Sequence, residues 1–202
     1  MNIRKAKIED VNEVVNIHCS AFKGFFLTSL GPQFLKFYYT CFLKSNETVT
    51  MVAVDEGRIL GFAASTKNCK WFNKRLVRSN LYDFGMLSFK MLFKNPQALL
   101  RLVKNLTKKN EQIVDAQEYA ELYSIGVRKD AQGMGVGKKL LVESERLMKE
   151  DGVVQVSLTT DYYDNEQAIG FYHAMGYESL YEFVTYPQRK MYRLIKTLKY
   201  QT

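Results

Sequence analysis

Three cysteines in 202 residues, Cys19, Cys41 and Cys69, are too few and too widely spaced for a disulfide framework, and none sits in a CxxC pair. Reduced, partly buried thiols in a cytoplasmic protein are the expectation that follows. Only two histidines are present, His18 and His173, and they assemble no metal-ligand constellation, so no metal is expected. Three prolines and no Gly/Ser-rich stretch leave no linker, and no internal repeat is visible. No run approaches the ~18–20 apolar residues that a membrane span needs, and the start "MNIRKAKIEDVNEV" lacks an apolar signal core. The expectation is a soluble chain that can still rest on a membrane surface.

What is present is a large apolar share, 47%, with 13% aromatics, enough to bury a real core in one domain spanning 1–202. The charge is lopsided. Between Lys67 and Lys109 eleven basic residues (Lys67, Lys70, Lys74, Arg75, Arg78, Lys90, Lys94, Arg101, Lys104, Lys108 and Lys109) face one acid, Asp83, for a net +10. The other 18 basic residues and 20 acids leave −2.

Periodicity divides the chain into alternating elements. "NIRKAKI" predicts a strand, and Val11, Val14, Val15, His18 and Phe22 recur at helical spacing behind Glu9 and Asp10, which suit a helix N-terminus. Pro32 opens a second helix to about Lys44. Thr48–Val54 and Arg58–Ser65 read as a hairpin about "DEG". The basic segment, about 67–110, reads as helices over roughly Lys74–Phe93 and Pro96–Lys108. Then follow a strand over Tyr119–Val127, a helix over Val136–Glu150, a strand "VVQVSLTTD", a helix "NEQAIGFYHAM", and strands over Tyr177–Tyr186 and Gln188–Leu198. This order predicts an α/β (mixed α+β) fold with a helical basic insertion.

"AQGMGVGKKL", Ala131 to Leu140, places three glycines in five positions at the mouth of a helix. Glycine is the residue that costs most backbone freedom to order. A strand–glycine loop–helix unit repays it by presenting unpaired backbone N–H groups at the positive end of a helix, a ready anion site. A phosphate-binding P-loop fails here twice, because Gln132 stands where its first glycine belongs and Lys139 where its Ser/Thr belongs. A dinucleotide GxGxxG begun at Gly133 and Gly135 fails at Lys138. What remains is Gln-x-x-Gly-x-Gly: Gln132, Gly135 and Gly137.

With "LYSIGV" in front, that pattern resembles the acetyl-coenzyme A motif of the GNAT superfamily of N-acetyltransferases. "NEQAIGFYHAMGY" resembles the same family's Asn-x-x-Ala-x-x-Phe-Tyr-x-x-x-Gly-(Phe/Tyr) helix through Asn165, Ala168, Phe171, Tyr172, Gly176 and Tyr177. The resemblance covers about 1–65 and 118–198. It implies a central, mostly antiparallel sheet of six or seven strands, splayed at the cofactor and flanked by helices. It also implies transfer of acetyl from acetyl-CoA to a small-molecule amine in a ternary complex. On it, the backbone of Gln132, Gly133, Met134, Gly135, Val136, Gly137 and Lys138 would hold the pyrophosphate. Ile125, Gly126 and Val127 would meet the pantetheine arm, with Gly126 permitting a bulge. Asn165 would bond the arm. Tyr172 would protonate the leaving thiolate, a fitting task for a phenol of pKa about 10. Glu121 resembles the acid that serves as base through water. Roughly 3.3 Å per residue puts it ~13 Å along the strand from Ile125. Glu118 and Asp161 are its rivals. His18 reads as a packed or cleft residue, and His173, one step of ~100° around the helix from Tyr172, faces elsewhere.

The basic insertion lies outside the resemblance. A cover over the acceptor cleft is its plain reading. A membrane-surface patch comes second, and nucleic-acid binding is disfavoured because no recognised motif accompanies the charge. Next to the cleft it would favour an acceptor on an anionic carrier, such as an amino sugar. A silent acetyl-CoA-binding module or a basic membrane or nucleic-acid adaptor is the rival function. Oligomeric state is not fixed by the sequence.

Overall fold

The computed structural model describes residues 1–86, 115–185 and 188–198. Strand β1 (Asn2–Lys5) leads through a short 3-10 turn into α1 (Val11–Ala21), α2 (Phe26–Ser29) and α3 (Pro32–Lys44). The hairpin β2 (Thr48–Asp55) and β3 (Arg58–Thr66) follows, and then α4 (Phe72–Ser79). After the insertion come β4 (Ala120–Val127), α5 (Val136–Glu150), β5 (Gln155–Asp161), α6 (Glu166–Ala174), β6 (Glu178–Thr185) and β7 (Arg189–Thr197). Most of the expected elements form within a few residues of their predicted bounds. The expected helix from Lys74 instead begins at Phe72 and breaks at Asn80, whose side chain donates to the Leu76 carbonyl, before residues 81–86 resume helix. The rest of that helix, and the one expected over Pro96–Lys108, lie outside the described residues.

Seven strands form one sheet in the order β1-β2-β3-β4-β5-β7-β6. Every neighbouring pair is antiparallel except β4 with β5. Period-two alternation gives the sheet two apolar faces. One packs against α1, α3 and α4 through Val14, Ile17, Leu35, Tyr39, Phe42, Phe62 and Phe72. The other packs against α5 and α6 through Leu140, Leu141, Met148, Leu158, Tyr177 and Leu194. In β4, Ala120 and Leu122 face α5, so Glu121 between them faces the α1–α3 side. No helix of the described residues is long and apolar enough to cross a membrane.

The parallel pair β4–β5 positions the site. Its registered pairing runs Ala120↔Val156, Glu121↔Ser157, Leu122↔Leu158 and stops there. Both strands continue, β4 to Val127 and β5 to Asp161, so the sheet opens into a wedge. A bulge lies at the opening: Ala64 pairs with Ser124 and Ser65 with Leu122, leaving Tyr123 unmatched. Bulges bend and twist their strand locally, which turns β4 away from β5.

Candidate active site

The wedge exposes backbone. Arg128 N–H donates to Leu60 C=O at 2.8 Å, in register with Phe62↔Gly126. In an antiparallel ladder, alternate residues turn their polar groups to alternate sides. Gly126 and Ser124 therefore spend theirs on β3, while Ile125 and Val127 turn N–H and C=O toward the side β5 has left. A sheet interior does not leave such groups idle, so the wedge suits an extended ligand that completes the ladder. The expectation for Gly126 is corrected on one point: the bulge falls at Tyr123, not at the glycine. What Gly126 supplies is space. A Cβ there would stand 2.9 Å from Phe62 Cε1 and 3.4 Å from Phe22 Cε2.

Below the wedge lies the glycine loop. Gly133 and Gly135 hold φ of +79° and +72°, the left-handed region that L side chains rarely enter. Gly135 is the N-cap of α5, and no side chain caps that end. The first-turn amides of Val136, Gly137 and Lys138 are thus left to a ligand at the positive end of a 15-residue helix. Gln132, Met134 and Lys138 are exposed around it. No Cβ at Gly133 or Gly135 would meet protein, so the left-handed turn rather than crowding demands glycine there.

Asn165 caps α6 and donates its amide to Thr160 Oγ1 at 2.6 Å and to the Asp161 carbonyl at 3.1 Å, tying the helix to the free end of β5. Tyr172, farther along the same helix, packs with Phe171 and Tyr177 against the α5 face. Burial raises its phenol pKa well above the ordinary value, so it stays protonated at neutral pH. His173 bonds the Tyr177 carbonyl through Nδ1 at 2.8 Å, a cap between α6 and β6 directed away from the tyrosine's task.

On the opposite face a cleft of about 380 Å³ opens between α4 and the β5–β7–β6 end of the sheet. Its floor is an ion pair: Arg193 Nη1 to Glu121 at 2.6 Å, with Ser157 Oγ at 3.1 Å, both charged residues 8% exposed. Burial works against the charge on Arg193, but Glu121, Tyr119, Tyr181 and Cys69 together outweigh it and the pKa lies above its ordinary value. Thr159, Thr185, Phe183, Tyr123 and Phe72 line the walls, and Trp71 and Lys74 stand at the rim. Glu121 is therefore an ion-paired carboxylate at the cleft, not a free one. The rivals lie apart from it: Glu118 meets Lys70 on the surface at 3.4 Å, and Asp161 is held by Arg189. Among the described residues no cluster of His, Cys, Asp and Glu gathers to hold a metal ion.

Five of the eleven basic residues in the insertion are described. Lys67, Lys70 and Arg75 are paired with Asp151, Glu118 and Glu47. Lys74 faces the cleft with its ammonium 4.1 Å over the Trp71 ring. Arg193 was not foreseen. The available signal was its place in β7, two residues from Met191 on one face of a strand, where a charge has to be buried or paired. His18, on the buried stripe of α1, is packed: it is 2% exposed, its Nδ1 lies 2.7 Å from Tyr39 Oη, and burial lowers its pKa to about 4.

The sequence profile of the Acetyltransferase (GNAT) family matches residues 11–177. Curated relatives include mycothiol acetyltransferase of Saccharomonospora viridis, 40% identical over 68 residues, 34% of this chain and 22% of that protein. The Streptomyces scabiei protein of the same name is 37% identical over 78 residues, 39% of this chain and 23% of its own. The chain thus spans under a quarter of the length of these relatives. Two solved structures share the fold along nearly the whole chain. The ribosomal-protein-S18-alanine N-acetyltransferase of Escherichia coli has TM-score 0.63 and 14% identity, covering 100% of this chain and 96% of that one. The PaiA N-acetyltransferase of Thermoplasma acidophilum, solved in complex with coenzyme A, has TM-score 0.58 and 15% identity, covering 98% of each chain.

Proposed function

The chain belongs to the acetyltransferase (GNAT) family, and from that premise we propose that it moves an acetyl group from acetyl-CoA to a primary amine by direct attack in a ternary complex. The observation that carries this reading is the uncapped N-terminus of α5 at the glycine loop, supported by the wedge between β4 and β5 and by protonated Tyr172. Acetyl-CoA supplies the acyl group already activated as a thioester. The amides of Gln132 through Lys138 bind its pyrophosphate, and Ile125 and Val127 take its pantetheine arm as an added strand. Asn165 supports the arm with the amide oxygen it has not used. Backbone N–H at the wedge steadies the oxyanion that forms as nitrogen attacks carbon.

In the transfer a C–N bond forms and the C–S bond breaks. The proton lost by the nitrogen passes by way of water to Glu121, and the leaving sulfur takes one from Tyr172, which recovers it from solvent. The acceptor sits in the cleft over Glu121, and the lysine at its rim supports an amine borne on an anionic carrier, such as an amino sugar. The partly matched relatives are named mycothiol acetyltransferase, which supports a small-molecule acceptor. We assign the chain to the cytoplasm as one domain, on its cysteine usage and composition.

The test is initial-rate kinetics with acetyl-CoA and a panel of amines. Direct transfer predicts intersecting double-reciprocal lines. Parallel lines, the mark of an acetylated enzyme, would contradict it.

A further inference from the structure

The cleft contains more hydrogen-bond donors than its protein partners use. Arg193 has five N–H donors in a fixed fork. Its Nη1 is engaged by Glu121 and Ser157. Its Nε is buried with no hydrogen-bond partner, and Nη2 makes no hydrogen bond among the described residues. An unmet buried donor is costly, and the side chain that carries this one lines the open cleft. At the rim Lys74 forms no ion pair among the described residues. The residue that orients it, Trp71, is held at φ of +60° and remains 53% exposed. A bulky side chain in the left-handed region is a strain the surroundings must maintain, and such residues gather at ligand clamps. Two cations against one carboxylate leave this cleft with a surplus of positive charge, and Glu121 already occupies part of one of them.

We propose that the cleft binds the acceptor by an anionic oxyacid group, a phosphate or a carboxylate, held on the free edge of Arg193 and on Lys74, with Trp71 packed over the body of the molecule. The guanidinium fork matches the paired oxygens of such a group, and the lysine adds a point charge that follows it. Glu121, on the other side of Arg193, is then left to face the amine. The acceptor is bifunctional, an amine at one end and an anion at the other. This rests on the transferase reading for the identity of the ligand as acceptor, but the anion site itself can be tested without turnover.

The experiment is calorimetric titration of the full chain with glucosamine, glucosamine 6-phosphate and muramic acid, with and without saturating coenzyme A, for the parent and Lys74→Ala. Lys74 is an exposed side chain on α4, outside the core, so its removal leaves the fold intact. We expect at least one anionic sugar to bind about tenfold tighter than glucosamine, and the preference to vanish in Lys74→Ala. Which of the two prevails identifies phosphate or carboxylate. Equal affinity for all three, no binding of any, or a preference that survives in Lys74→Ala would overturn the proposal. Failure of coenzyme A to bind would instead count against the transferase reading, and the two failures are visible separately in the same titrations.

Discussion

Two residues carry the sharpest chemistry, and each makes a distinct prediction. Burial holds the Tyr172 phenol above its ordinary pKa, and the proposed mechanism confines its role to the departing thiol. Tyr172→Phe should lower kcat by roughly 10²-fold while leaving the KM for the donor within a factor of a few. Steady-state kinetics read both, and an unchanged kcat would remove the tyrosine from the reaction. His18 predicts a stability effect with a definite sign. Its folded pKa of about 4 lies below the ordinary 6.5, so between those values the unfolded chain binds a proton that the fold excludes. Stability is therefore flat above the upper value and falls as pH drops toward the lower one, by about 3 kcal/mol in all. Urea melts across that range should show the loss in the parent and a much flatter profile in His18→Gln. The roles of these residues differ in how they could be read from sequence. Tyr172 is legible because a motif fixes its helix and its face. His18 shows only that it lies on an apolar stripe, and its partner Tyr39 comes from another helix.

At the scale of elements, the glycines separate into two kinds. Gly135 serves a left-handed turn with open space around it, whereas Gly126 and Gly61 stand back to back where β3 and β4 meet α1 and α5. A Cβ on Gly61 would lie 2.8 Å from the Gly126 carbonyl oxygen, and one on Gly126 would press on the buried ring of Phe62 at 2.9 Å. Gly61→Ala and Gly126→Ala should each cost about 1–3 kcal/mol of stability through overpacking, measurable by thermal or denaturant melts. Periodicity in the sequence finds nearly every strand and helix, since the two-residue and 3.6-residue patterns are local. It does not find the bulge at Tyr123 or the end of the β4–β5 pairing, because these arise from how three strands share hydrogen bonds. Nor does it find that Arg193 on β7 reaches across β5 to Glu121 on β4. Cross-strand register lies beyond any single segment.

For the whole molecule, the uneven charge has a functional direction. The basic segment carries a net +10 against −2 elsewhere, and its Lys74 lines the cleft proposed to hold the acceptor. Attraction between exposed charges is screened over about 8 Å at physiological salt. The KM for an anionic amine should thus rise several-fold as sodium chloride goes from low to high concentration, while the KM for a neutral amine stays level. A salt response shared by both acceptors would point away from the cleft.

The central claim is that the glycine turn and the bare end of α5 hold the phosphates of acetyl-CoA. The most direct measurement is calorimetric titration of acetyl-CoA into the parent and into Gly135→Glu. A Cβ at this position meets no protein atom, so the variant bears only the backbone strain of a left-handed non-glycine residue, about 1–2 kcal/mol. It also sets a carboxylate where the phosphates would lie. The account predicts a saturable isotherm for the parent and none for the folded variant. No binding by the folded parent, or equal binding by the variant, would contradict it.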